Sequence, residues 1–204
     1  MGLQGHQHRR YSEFANCEYA SAMDLKPQDL LVLLKAAAHP PQHWTYAALG
    51  EALALSASEA HASVKRAVAC GLAVAPARGE WSPLRAQLLE FMQHGVRYVW
   101  PATPGPVKRG VPTAFGAEPL ASSLTVAPGE APVWAHASGS AKGPTLSPIY
   151  RTAPQAALAD PALHRLLALL DALRTGRARE RALAARLMQA ELMPPLAAVD
   201  DARP

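Results

Sequence analysis

The chain has 204 residues, of which half are hydrophobic and 19 are proline, with two cysteines and a formal net charge of +4. This length accommodates one domain of ordinary size or two small ones, and the apolar share permits a packed core, which argues against wholesale disorder. Two cysteines and the lack of an 18-residue apolar run indicate neither a disulfide framework nor a membrane span, so we expect a cytoplasmic protein.

Residues 1–22 show no hydrophobic periodicity, so we expect a loose N-terminal extension. Ordered structure is predicted from residue 23 onward. Pro27 suits the first turn of a helix, and the leucines between residues 30 and 34 give this helix a broad apolar face. The helix is predicted to end near Ala38, ahead of two consecutive prolines.

A helix-turn-helix pattern follows. A short helix is predicted for residues 46–53, and Ser56 with Glu59 three residues later has the spacing of a capping box that begins a second helix, residues 57–70. Gly71 ends this helix at a position that favours a left-handed residue. Small and polar residues cover the outer face of the second helix, as in helices that enter the major groove of DNA.

Two short strands are predicted directly after the helix pair, at residues 72–74 and 80–81, around a turn that contains Arg78. A recognition helix followed by a small hairpin is the arrangement of a winged helix-turn-helix, with Arg78 at the tip of the wing. A further helix is predicted for residues 84–94, and a run of branched and aromatic residues predicts a strand at 96–100.

Residues 101–153 are rich in proline and are predicted to form an irregular segment, draped over the helical parts or linking them, because proline disfavours central strands and long helices. Lys108 and Arg109 are predicted to lie in a small basic turn of this segment. Apolar stripes at helical spacing then predict a C-terminal pair of helices within residues 154–193, followed by a frayed tail at 194–204.

The sequence therefore predicts a mainly α fold: a winged helix-turn-helix domain with a small β-hairpin wing at residues 23–100, a proline-rich irregular segment and a C-terminal helical pair. The run TYAALGEALALSASEAHASVKRAVACGL, followed by the wing, resembles bacterial winged helix-turn-helix transcriptional regulators in a MarR-like arrangement, over residues 24–95. The resemblance implies sequence-specific binding to double-stranded DNA by a homodimer at a palindromic operator. A long dimerisation helix ahead of the motif is missing here, so the C-terminal helices are a candidate dimer contact.

In such a motif, residues near the start of the second helix reach base edges, and Lys or Arg residues meet guanine edges or phosphates. Residues 24–95 hold six Lys/Arg and six Asp/Glu, whereas residues 96–151 hold five and two, so further phosphate contacts are expected from the second stretch. Arg174, Arg177 and Arg181 recur at helical spacing, and a solvated face is favoured there over a phosphate role. The candidate DNA-binding residues are Ser56, Ser58, His61, Ala62, Lys65, Arg66, Arg78, Lys108 and Arg109.

The expected function is that of a transcriptional repressor that occupies DNA through residues 57–70. The neutral charge of the motif leaves open a winged-helix adaptor or antitoxin-like protein, which binds a protein partner encoded by a neighbouring gene. A third hypothesis is a ligand-sensing regulator with a pocket near Trp100 to Phe115. The histidines lack cysteines or carboxylates at metal-binding spacing, and no phosphate-binding glycine loop occurs, so neither a metal, a cofactor nor enzymatic activity is expected.

Overall fold

A computed structural model describes residues 24–40, 42–75, 80–127 and 129–194. Over these residues the fold is mixed α/β, with eight helices and five short strands, which confirms the predicted helical character. Within the described part of the chain, no helix combines the length and the apolar character that crossing a membrane requires. The predicted N-terminal extension and all but the first residue of the predicted tail lie outside the described residues.

The first three helices lie close to their predicted positions: α1 is Pro27–Ala38, α2 is Tyr46–Leu53 and α3 is Ala57–Ala69. α1 is central to the fold, because every residue between positions 29 and 37 is buried. The turn from α2 to α3 depends on Gly50, where a Cβ atom would lie 2.6 Å from the carbonyl oxygen of Leu55. The local signals of this segment thus predict its helices correctly.

Two paired strands follow α3. β1 is Ala73–Val74 and lies antiparallel to β2, Ser82–Pro83. The second strand starts two residues later than predicted, after Trp81. The Trp81 side chain is buried, and its indole N–H donates a hydrogen bond to the Trp44 carbonyl at 3.3 Å, which fixes this residue against the core. The predicted turn between the strands, with Arg78, lies outside the described residues.

The chain continues as helix where a strand is predicted. α4 is Arg85–His94 and α5 is Val96–Val99, so the prediction of a strand at this point is wrong. Gly95, with φ −106° and ψ −44°, separates the two helices: its N–H donates to the Phe91 carbonyl and its own carbonyl accepts from the Val99 N–H. Val96 is fully buried, and the Trp100 N–H donates to the Val96 carbonyl at 2.8 Å. β-propensity depends on the presence of strand partners. Residues 96–100 instead form the i+4 to i backbone hydrogen bond of a helix.

The proline-rich segment contains a small sheet, which corrects the prediction of irregular structure. Its strands are β3 (Pro104–Pro112), β4 (Val133–Ala135) and β5 (Ala141–Leu146). β3 pairs antiparallel with β4 and with β5, and one parallel pair joins β4 to β5, so the three strands close on one another. The prolines of β3 lie at its ends and at an irregularity in the pairing between Pro104 and Val107, and Pro144 of β5 lies opposite Val107, where that irregularity ends.

Lys108 and Arg109 lie within β3, so their prediction as a turn is also wrong. In the antiparallel register, Lys108 is opposite Gly143 and Arg109 is opposite Lys142. Both basic residues of β3 are exposed. The sheet therefore presents these cations on regular structure.

The C-terminal part contains the two predicted helices and one more. α6 is Ala153–Ala159, α7 is Pro161–Thr175 and α8 is Ala178–Leu192. α7 packs against α1, α5 and α8, and α6 packs against α2. A single buried cluster runs from Leu30 in α1 to Leu192 in α8, so the hydrophobic core is continuous across the predicted domain boundaries.

Asp171 of α7 holds the sheet in place. Its buried carboxylate accepts hydrogen bonds from the Thr113 hydroxyl at 2.9 Å and the Trp134 indole at 2.6 Å, and it pairs with Arg174 at 2.6 Å. Arg174 in turn donates to the carbonyl oxygens of Trp100 and Ser147. The prediction of a solvated arginine face is therefore wrong for Arg174, which is a buried structural group.

Asp160 joins α1 to α7. One carboxylate oxygen caps α7 by accepting from the backbone N–H groups of Ala162 and Leu163, and the other lies 2.7 Å from Lys35 Nζ and from His39 Nε2. Burial alone would raise the pKa of Asp160, but the hydrogen bonds from Lys35, His39 and Leu163 hold it below its usual value. This ionic junction fixes the helix that supports α3 to the helix that supports α8.

Candidate nucleic-acid interface

The start of α3 is defined by the predicted capping box. The Ser56 hydroxyl oxygen accepts from the Glu59 backbone N–H at 3.1 Å, and the Ser56 backbone N–H donates to Glu59 Oε2 at 2.8 Å. Hydrogen bonds from the backbone and the side chain of Ser56 lower the pKa of Glu59. Ser56, a predicted DNA-binding residue, is therefore already engaged in capping the start of α3.

α3 has one buried face and one exposed face. Its inner side consists of Ala60, Ser63, Val64 and Ala67, which are buried. On the outer side, Ser58, His61 and Lys65 are exposed and Ala62 is half-buried, as helical spacing requires. The structure thus brings these four predicted residues together on a single surface, which we call the α3 face.

His61 is oriented by α2. Its ring lies against the ring of Tyr46, with centroids 4.8 Å apart. Tyr46 is half-buried and packs against the core. The contact leaves the imidazole at the surface in a defined position, where either a base edge or a phosphate could meet it.

Arg66 points inward, and this corrects the expectation that it is available to DNA. Its guanidinium donates to both carboxylate oxygens of Asp29 in α1, at 2.8 Å and 2.6 Å, and to the Ser63 hydroxyl at 3.2 Å. Asp29 is fully buried, and the hydrogen bonds to its carboxylate raise the pKa of Arg66. A bidentate pair of this kind fixes α3 on α1.

Arg151 acts electrostatically on the start of α3, although the sequence predicts for it only a share in the basic stretch of residues 96–151. Its charge acts on Glu59 in the capping box, and its guanidinium stacks 5.8 Å from the ring centroid of Tyr150. The packing of α6 on α2 accounts for this proximity, because Arg151 directly precedes α6. The only sequence signal was the general excess of basic residues after position 96.

Strands β3 and β5 carry three exposed cations: Lys108, Arg109 and Lys142. Arg109 and Lys142 are directly opposite one another, an arrangement that destabilises a strand pair when no anion intervenes. Neither residues 101–117 nor residues 131–159 contain an Asp or a Glu. We call these three residues the sheet cations. The facing charges of Arg109 and Lys142, with no Asp or Glu in the flanking sequence, are what a phosphate-binding surface requires.

The remaining predictions concern pockets and metals. A depression of about 300 Å³ lies beside Phe115, near the position expected for a ligand pocket, and is also lined by Arg177, Glu130 and Glu180. Among the described residues, no group of three or more His, Cys, Asp or Glu side chains could hold a metal ion.

Arg78 lies outside the described part of the chain, so the structure does not place it relative to the α3 face.

Comparison of this chain with protein-family models, with curated proteins and with solved structures finds no match in any of the three. The resemblance to MarR-like regulators therefore stays a prediction from the residues of the helix-turn-helix pattern.

Proposed function

We propose that this protein is a transcriptional regulator that binds double-stranded DNA through a winged helix-turn-helix formed by α1, α2, α3 and the β1–β2 pair. The observation that carries the proposal is the α3 face. A capped helix, fixed on α1 by a bidentate ion pair, exposes Ser58, His61 and Lys65 in a row. Small and polar side chains on a rigid helix suit close approach to base edges in a major groove.

The α3 face supplies one permanent positive charge, Lys65, and this is too few for strong attraction to phosphates. The sheet cations and Arg151 complete the proposal as backbone contacts. A homodimer at a palindromic operator doubles the number of base and backbone contacts. The simplest outcome is repression in the cytoplasm, in which the bound protein blocks access of polymerase to the operator. The mechanism involves no catalytic step.

Binding of the purified protein to the DNA upstream of its own gene tests this proposal. We expect fluorescence anisotropy to detect a complex whose affinity falls steeply with salt, and a scrambled duplex to bind more weakly. The double variant His61→Ala/Lys65→Ala should lose discrimination between the two duplexes. His43→Ala/Lys26→Ala is the matched control, because it removes the same residue types from exposed positions outside the α3 face. Absence of binding at low salt would refute the proposal.

The alternative is a winged-helix adaptor that uses the α3 face for a protein partner. The neutral balance of residues 24–95 is the observation in its favour, since protein interfaces need no positive surplus. The two candidates differ in one measurement. A regulator loses affinity for DNA when the sheet cations are replaced, whereas an adaptor shows no DNA affinity to lose.

A further inference from the structure

α8 carries an arginine surface that the proposed DNA interface does not use. Arg179 and Arg186 are exposed and lie seven residues apart, two helical turns, on one side of the helix. They border a depression of about 600 Å³ whose floor includes Leu183 and Leu124. Charge and apolar surface therefore lie side by side.

A second depression, of about 420 Å³, lies on the other side of Ala182. Arg97 of the α5 helix and Arg181 of α8 border it together with Tyr98. The Tyr98 side chain is 73% exposed, and the Arg97 guanidinium lies 5.1 Å from its ring centroid. Arg181 also donates to the carbonyl oxygen of Gly176. Both depressions and the ridge between them form one continuous surface, which we call the α8 face.

Among the described residues, the nearby carboxylates form no ion pair with the arginines of the α8 face. The Glu180 side chain accepts from the Arg177 backbone N–H at 2.7 Å, and Glu191 is paired with Arg165. Glu90 is exposed on α4, and no carboxylate is among the described residues that line either depression. Four arginines thus face solvent or the two depressions with no ion pair to an acidic side chain among the described residues.

The composition of the α8 face favours a protein partner over a nucleic acid. Its permanent cations are all arginine, and its most exposed large hydrophobic side chain is Tyr98; arginine and tyrosine are enriched at the centres of protein interfaces. The first depression is lined by the half-buried Leu183 and Leu124, and the second by the exposed Ala182 and Tyr98. This apolar surface has no use in contacts with phosphates but can receive aliphatic side chains. Arginine clusters bind carboxylates in bidentate geometry.

α8 and α3 both contact α1, but their other neighbours differ. α8 packs on α7, α4 and α1, whereas α3 packs on α1, α2 and β1. We propose that the α8 face binds an acidic segment of a partner protein, in which carboxylates meet the arginines while aliphatic side chains occupy the two depressions. This site goes beyond the proposed DNA interface, and it does not depend on it.

The test uses the full chain and a fluorescein-labelled peptide of repeating Glu-Glu-Leu-Leu units. We expect the peptide to bind at low salt, and Arg179→Glu/Arg186→Glu to weaken binding about tenfold or more, which corresponds to about 1.4 kcal/mol. Tyr98→Ala should weaken it less. Lys108→Glu/Arg109→Glu is the matched control: it reverses two exposed cations on the sheet and should leave peptide binding unchanged. Circular dichroism of each variant verifies the fold.

Two control peptides separate the contributions. Replacing Glu by Gln should abolish binding, and replacing Leu by Ser should weaken it. Equal binding of all three peptides, or equal binding by Arg179→Glu/Arg186→Glu, would overturn the proposal. A larger loss of DNA affinity in Arg179→Glu/Arg186→Glu than in Lys108→Glu/Arg109→Glu would assign the face to nucleic acid. If the wild type sediments as a dimer and Arg179→Glu/Arg186→Glu as a monomer, the α8 face binds a second copy of this chain. Either of these two results would contradict an acidic partner protein.

Discussion

The outer faces of α3 and α8 differ in how they use arginine. α3 turns Arg66 inward to a buried carboxylate and keeps Lys65 as its one exposed cation. α8 keeps Arg179 and Arg186 outward, while its glutamates have other partners: Glu180 accepts from the Arg177 backbone N–H and Glu191 pairs with Arg165 of α7. A helix that reads base edges needs small side chains and a fixed position, whereas a surface that captures carboxylates needs unpaired charge. The comparison indicates that positive charge in this protein lies away from the helix proposed to confer specificity.

The largest effect is expected for Arg66→Ala. The substitution leaves the fully buried Asp29 carboxylate without its ion-pair partner, and we expect a loss of about 3 kcal/mol in the free energy of unfolding. Urea denaturation followed by circular dichroism measures it. Lys65→Ala, one residue away and exposed, should change stability by less than about 0.5 kcal/mol. A stable Arg66→Ala variant with weakened DNA binding would instead restore Arg66 to the interface.

Local signals explain what the sequence predicted well. The bounds of α1, α2 and α3 depend on the first-turn Pro27, on Thr45, whose hydroxyl accepts from the Ala48 N–H at 3.1 Å, and on the capping box. Each of these signals acts within about four residues. The face that carries Ser58, His61 and Lys65 follows from helical spacing alone. These features could be predicted because no distant partner decides them.

Distant partners explain what the sequence did not predict. The inward turn of Arg66 depends on Asp29, 37 residues earlier, and nothing near Arg66 announces it. The strands β3 and β5 pair across more than 30 residues, so their prolines indicated irregular structure when read locally. Arg151 approaches α3 because α6 packs on α2, a contact that only the folded chain provides.

A loss of about 2 kcal/mol is expected for Asp160→Asn. Asparagine can still cap α7, but it leaves Lys35, which is 8% exposed, without a counter-charge. Because α1 and α7 belong to one core, we expect α3 and α8 to unfold in a single transition in both proteins, detected by coincident fluorescence and circular dichroism curves. Separate transitions would show that the two faces belong to independent units.

The same pair predicts a pH dependence. The pKa of Asp160 lies below its ordinary value of 3.8, so the ionised carboxylate stabilises the fold above that pH and loses this effect as the pH falls through the lowered pKa. The difference in unfolding free energy between the wild type and Asp160→Asn should therefore be constant near neutrality and narrow below about pH 4. Urea denaturation at a series of pH values tests this, and a difference that widened in acid would contradict it.

A smaller effect is expected for Ser56→Ala, which removes the hydroxyl that caps α3. The loss should be about 1 kcal/mol, measured as a lower Tm, while Ser58→Ala on the same helix should leave the Tm nearly unchanged. If the α3 face contacts base edges, the order of the two variants should be reversed when DNA binding is measured instead of stability. Ser58→Ala should alter discrimination between duplexes more than Ser56→Ala does, and equal effects would place neither hydroxyl at a base.

Lys142→Glu is expected to change stability by no more than Ser56→Ala does and in the opposite direction, so it separates the needs of the fold from those of DNA binding. Arg109 and Lys142 face each other across β3 and β5, so a glutamate at 142 replaces repulsion by attraction and should stabilise the protein by about 0.2 to 1 kcal/mol. The same change should weaken DNA binding and lower the slope of log affinity against log salt by about 1. Lys142→Gln, which removes the charge without reversing it, should lie between the two proteins in both measurements. If Lys142→Glu is more stable and binds DNA less well, the cations serve ligand binding and not the stability of the sheet. If its affinity for DNA is unchanged, the sheet is not part of the DNA interface.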